Sequence, residues 1–102
     1  MRSRFEIIQI ILLLASGKKS KTSILYGANL SFNQLHEYFT FLLDTNLLSS
    51  DEVNGKTCYK TTAKGYRFLE CFQEIQDFLR NDEDENVASP TKLDRIFVSR
   101  KH

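Results

Sequence analysis

The chain has 102 residues, 41% of them hydrophobic, with eight Phe, four Tyr and a net charge of +1. That is one small domain with a tail and enough apolar material for a modest core, while the net charge as a total is uninformative. Two cysteines, Cys58 and Cys71, with two histidines at no metal-ligand spacing exclude a zinc module, and the cysteines read as reduced, semi-buried side chains; spacing alone neither selects nor forbids a disulfide between them.

The charges are unevenly placed. Residues 1–30 hold five Lys or Arg against the single Glu6, whereas residues 31–60 hold Lys56 and Lys60 against Glu37, Asp44, Asp51 and Glu52. The opening MRSR followed by IIQIILLLASG has the outline of a signal peptide. Glu6 and Gln9 interrupt it, however, and its apolar run falls short of the roughly 20 residues that span a bilayer. Ser3 and Glu6 instead form a capping box, as at the start of a folded helix. That first helix is expected from Arg4 to Ala15, with Phe5, Ile8, Ile11, Leu12 and Ala15 as its main stripe and Ile7, Ile10 and Leu14 widening it. Gly17 is expected to close it as a C-cap. The basic loop Lys18-Lys19-Ser20-Lys21 follows, to be read either as plain solvated loop or as a phosphate contact.

A short helix near Lys21–Tyr26, with Ile24 and Leu25 inward and Tyr26 at the rim, is expected to break at Gly27-Ala28-Asn29. Ser31 and Gln34 then form a second capping box. They open a third helix over about Phe32–Thr45, whose buried face carries Phe32, Leu35, Phe39, Leu42 and Leu43. At about 100° per residue, the opposite face holds Asn33, Glu37, Thr40, Phe41 and Asp44, flanked by Gln34. Two helices joined by a tight turn make a helix-turn-helix, the unit whose second helix enters a DNA major groove.

From Leu48 the pattern turns to a period of two and reaches Asn54-Gly55, the dipeptide suited to a type I′ hairpin turn. A two-residue loop pairs Val53 with Lys56, Asp51 with Cys58, Ser50 with Tyr59 and Leu48 with Thr61. Leu48, Tyr59 and Thr61 then share the core side. A hairpin in this place is a wing. A long last helix starts near Thr62 and runs to about Arg80. Phe68, Phe72, Ile75 and Leu79 form a heptad seam on it, widened by Phe78 and Cys71. The seam exceeds what three short helices can cover, so antiparallel pairing with a second copy is expected; the competing expectation folds this helix back along the first in a monomer. The acidic stretch NDEDENVASP and the final TKLDRIFVSRKH read as linker and tail.

The strings KTSILYGANLSFNQL, YFTFLLDTNLL and NGKTCYKTTAKGYRFLE resemble the small archaeal winged helix-turn-helix proteins with a dimerising C-terminal helix, a family that includes Sulfolobus chromatin-associated DNA-binding proteins. The resemblance spans Phe5 to about Arg80. It implies an α+β, mostly α fold: three helices, a β-hairpin wing and a long C-terminal helix. Residues 1–62 form the core, 63–81 the dimerisation helix and 82–102 the acidic linker and tail. It also implies double-stranded DNA as partner, a homodimer and a nucleoid-associated place in the cytoplasm. The chain departs from the family by carrying Glu37 and Thr40 where DNA-binding members tend to present Lys or Arg, and by ending the last helix early.

For DNA, Ser31, Asn33, Gln34 and Glu37 are the candidate base readers, the amides suiting adenine and Glu37 cytosine. Lys18, Lys19, Lys21, Lys56, Lys60, Lys64 and Arg67 are the candidate phosphate contacts. Phe68, Phe72, Ile75, Phe78 and Leu79 are the candidate dimer interface. No nucleophile-and-base pair, phosphate-binding glycine loop, metal cluster or cofactor motif is apparent, His36 reading as a packed or rim side chain; a non-enzyme is expected. The alternative is a winged helix turned to protein–protein assembly, with Phe41 and the acidic residues facing a protein.

Overall fold

A computed structural model describes residues 2–80 of the chain. The elements run α1 (Arg4–Ala15), α2 (Lys21–Ala28), α3 (Phe32–Asp44), β1 (Leu48–Val53), β2 (Lys56–Thr61) and α4 (Ala63–Leu79). Three helices, a hairpin and a long last helix make a mostly helical winged helix-turn-helix, as the sequence predicts. The expected linker and tail, 82–102, lie outside the described residues.

Every helix starts on a hydroxyl. Ser3, Ser20, Ser31 and Thr62 are extended N-caps, each accepting from the backbone N–H three residues on. Both expected capping boxes are closed: Ser3 N–H donates to Glu6 Oε1 at 2.8 Å, and Ser31 N–H donates to Gln34 Oε1 at 3.0 Å. The helix ends differ from expectation in two places. At the end of α1 the left-handed residue is Lys18, with φ 59°, and not Gly17. Lys18 N–H bonds back to Ala15 O at 3.0 Å, which turns the chain one residue later than a glycine cap does. Between α2 and α3, Gly27 and Ala28 stay helical and the break falls on Asn29 alone, at φ 56°. Gly27 serves packing instead: a Cβ there would stand 2.9 Å from Leu14 Cδ1, so its absence lets α1 lie close against α2.

The core is one cluster. Ile7, Ile8, Ile11, Leu12 and Ala15 of α1 meet Ile24 and Ala28 of α2, Leu35, Phe39 and Leu42 of α3, and Leu30, Leu47 and Leu48. Two stripe residues stay out of it. Phe5 is 57% exposed and Phe32 is 67% exposed, because each sits on the first turn of its helix, where the neighbouring elements do not reach over it.

The hairpin has the expected register, Leu48 against Thr61 through Val53 against Lys56. Asn54 and Gly55, at φ 53° and 78°, make the turn with both central residues left-handed. Tyr59 packs edge-on against Phe39 with ring centroids 4.7 Å apart, and the buried Thr61 hydroxyl donates to Leu12 O at 2.6 Å. The hairpin is thereby fastened to both α3 and α1. A third strand, one residue long, joins it. Lys19 N–H donates to Tyr59 O at 3.0 Å and Tyr59 N–H to Lys19 O at 2.8 Å. The loop after α1 is thus not free in solvent but is the outer edge of the wing.

One face of α4, from Phe68 to Gln76, lies along α1. Phe68, Leu69 and Phe72 are half-buried, Phe5 and Phe72 stand 6.3 Å apart, and Gln9 Nε2 donates to Gln76 Oε1 at 3.1 Å. Gly65 permits a second approach, of α4 to the loop before β1 and the end of β2, since a Cβ there would overlap the carbonyl oxygen of Leu47 and the Thr61 methyl. The end of the seam is bare beside this contact: Ile75, Phe78 and Leu79 are 52%, 56% and 78% exposed.

Candidate nucleic-acid interface

The outward face of α3 is open along its length. Asn33, Gln34, Glu37, Thr40, Phe41 and Asp44 are all exposed, and so is His36, which the sequence placed nearer the core. No Lys or Arg stands on this helix. Of the four candidate readers, Ser31 and Gln34 are committed to each other. Ser31 Oγ accepts from Gln34 N–H, and Gln34 Oε1 accepts from Ser31 N–H. Bidentate recognition of adenine needs both the oxygen and the amide nitrogen. Gln34 has only its Nε2 to offer while the box is closed. Asn33 keeps its whole amide, and Glu37 remains an exposed acceptor.

The seven phosphate candidates fall into two groups. Lys18, Lys19, Lys56 and Lys60 gather at the wing. Lys56 and Lys60 alternate with Cys58 on the sheet face turned away from the core, with Asp51 opposite Cys58. Lys18 reaches the same face and pairs with Asp51 at 3.7 Å, both side chains being substantially exposed. Such a pair contributes at most about 1 kcal/mol and opens readily toward a phosphate. The Lys19–Tyr59 pairing brings this about, drawing the basic loop to the basic strand. Lys21 is different: it is half-buried, its ammonium 5.7 Å from the Phe32 ring centroid and 5.8 Å from that of Phe39.

Lys64 and Arg67 stand at the other end of α3. Lys64 Nζ donates to Thr45 O at 2.7 Å, satisfying a terminal carbonyl of that helix. Arg67 borders an apolar groove of about 470 Å³ between α1, the end of α3 and α4, lined by Phe5, Ile8, Phe41, Leu47, Phe68 and Cys71 among others. A smaller cleft shares Ile8 and Phe41 with it and adds Arg4, Glu37 and Tyr38.

Three further residues stand in this region, two of them in places the sequence does not give them. Arg2 donates to Asn29 O at 3.3 Å, tying the N-terminal arm to the turn. Tyr26, expected at the rim of the core, is 77% exposed on the last turn of α2, and Phe32 is open on the first turn of α3. Periodicity cannot find such residues, because it assigns a face and not whether a neighbour covers it.

Among the described residues, no three or more His, Cys, Asp or Glu side chains come together as a metal site, and both cysteines are free thiols. No helix among them is long and apolar enough to cross a membrane.

Known proteins share this architecture. A protein of Methanocaldococcus jannaschii, itself uncharacterized, is 26% identical over 81 residues, which are 78% of this chain and 79% of that protein. Among solved structures, Sso10a-2, a DNA-binding protein from Sulfolobus solfataricus, superposes with a TM-score of 0.68 at 21% identity, covering 94% of this chain and 97% of its own. A mutant of S. aureus MepR bound to an oligodeoxyribonucleotide gives 0.63 at 13% identity, over 93% of this chain and 75% of that one. The expected likeness to small archaeal winged helix-turn-helix proteins is thereby met. A winged helix-turn-helix family model matches residues 1–80, and with its hairpin wing, its capped α3 and its long α4 this chain belongs to that family.

Proposed function

We propose that this protein binds double-stranded DNA as a homodimer and acts, without catalysis, as a transcriptional regulator or chromatin-associated protein on the cytoplasmic nucleoid. In this reading α3 enters the major groove and the wing lies on the sugar-phosphate backbone. The observation that carries it is the union of the basic loop with the wing through Lys19 and Tyr59. It draws Lys18 and Lys19 to the same small sheet as Lys56 and Lys60, while the outward face of α3 is itself exposed. Sso10a-2, described as DNA-binding, and the MepR mutant bound to an oligodeoxyribonucleotide support the same use of the fold. Grip and reading are divided. The wing and loop supply cations, while α3 supplies Asn33 and Glu37 for base edges and no positive charge.

The division has a consequence in salt. Each phosphate neutralised on duplex DNA contributes about −0.9 to the slope of log affinity against log salt. Titration of a random-sequence duplex should show binding at low salt that weakens steeply as salt rises. The double variant Lys56→Gln, Lys60→Gln should flatten the slope by about 1.8 for each protomer engaged. Absence of binding at low salt, or affinity indifferent to salt, would overturn the DNA reading. The acidic residues of α3 and the half-exposed Phe41, bordering the cleft with Arg4 and Tyr38, favour the second reading, a protein-docking winged helix, and that outcome would leave it standing.

Dimerisation is proposed through α4. Ile75, Phe78 and Leu79 continue the seam begun by Phe68 and Phe72 and have no cover within the protomer's described residues. A second copy of the same helix supplies the matching apolar surface.

A further inference from the structure

We propose that Phe32 is a specificity-determining residue of α3 and reads thymine through its 5-methyl group in the major groove, a proposal that rests on the DNA-binding reading above. Its place on the helix is the first reason. Phe32 is the first residue of α3, and the opening turn of the second helix in a helix-turn-helix is the part that meets base edges. Its exposure is the second. On the stripe that buries Leu35 completely and Phe39 to 3% exposure, Phe32 remains 67% exposed. The core therefore does not account for a benzyl side chain at this position.

The third reason is how the ring is held. The Lys21 ammonium stands between the Phe32 and Phe39 rings, 5.7 and 5.8 Å from their centroids. This cation–π contact steadies an otherwise open ring and keeps a positive charge beside it. A thymine methyl lies at the edge of the major groove, next to the backbone of its own strand. A phosphate drawn toward Lys21 brings that edge toward Phe32.

Elimination among the neighbours completes the argument. Ser31 and Gln34 are engaged in the capping box, and Glu37, a charged acceptor, suits a base amino group and not a methyl. What the opening turn offers DNA is the free amide of Asn33 and the apolar ring of Phe32. The thymine methyl is the one apolar group among the major-groove edges, and an Asn amide matches adenine. Adjacent residues thus favour the two members of an A·T pair.

The test uses the full chain and two duplexes, one A·T-rich with thymine and one of identical sequence with uracil in its place. Wild type should bind the thymine duplex more tightly, by about fourfold for one buried methyl and about fifteenfold for two. Phe32→Ser should bring the ratio to one, while Phe32→Leu, still apolar, should retain part of it. Circular dichroism of both variants should match wild type, since the side chain lies outside the core. Equal wild-type affinity for the two duplexes, or a preference that survives in Phe32→Ser, overturns the proposal while leaving DNA binding intact. Failure to bind either duplex at low salt overturns the DNA reading itself and this proposal with it.

Discussion

Thr61 shows how much of this fold depends on one hydroxyl. It is the buried polar side chain of the described core, 2% exposed, and it donates to Leu12 O near the end of α1, where Ser16 N–H has already turned to Leu13 O. Thr61→Val keeps the volume but leaves that carbonyl buried and unpaired, which should cost about 1–3 kcal/mol in urea unfolding. Thr61→Ser, which keeps the donor, should recover most of the loss; equal destabilisation by both would mean the methyl, not the hydrogen bond, matters. The hairpin register put Thr61 on the core side from sequence, but its partner could not be read, because Leu12 is 49 residues away. Phe32 is the opposite case. Helical spacing assigns it to the buried stripe, yet on the first turn of α3 it stands in the open, 67% exposed.

At the scale of elements, local chemistry was legible wherever a side chain bonds its own backbone. The capping boxes at Ser3 and Ser31 and the Asn54-Gly55 turn stand as the sequence predicts, since each is decided within a few residues. The Lys19–Tyr59 pairing was not legible. A strand of one residue has no period, and the bond joins parts of the chain 40 positions apart. The approach of α4 to the loop before β1 was equally hidden, and Gly65 is its condition. Gly65→Ala raises helix propensity by about 1 kcal/mol but drives a methyl into the Leu47 carbonyl, which backbone cannot evade cheaply. The variant should be less stable than wild type by about 1–3 kcal/mol net, visible as a lowered denaturation midpoint. An unchanged or raised midpoint would show that α4 can slide away from this contact.

For the whole molecule, both expectations about α4 hold something true. One face of it packs on α1 through Phe68, Leu69, Phe72 and Gln76, as a monomer requires, while Ile75, Phe78 and Leu79 near its end stand open to solvent. Burial of such side chains is worth about 1.5–3 kcal/mol each, so an uncovered row of three is a strong drive to associate. Sedimentation equilibrium of wild type should give twice the chain mass, and the double variant Ile75→Glu, Phe78→Glu should give the chain mass with its helical signal intact. A wild type that sediments as a monomer would remove the dimer.

By itself the sequence determined the elements, the capping boxes at Ser3 and Ser31, the hairpin register and the winged helix-turn-helix class, because those rest on periodicity and on bonds between near neighbours in the chain. The tertiary structure alone decided which cations share a surface, which aromatic rings are covered and which polar groups are already spent. Lys18 and Lys19 joined the wing, Lys64 went to cap α3, and Gln34 closed on Ser31. Those outcomes depend on contacts between segments far apart in the chain, and a one-dimensional pattern carries no record of what packs over a given face.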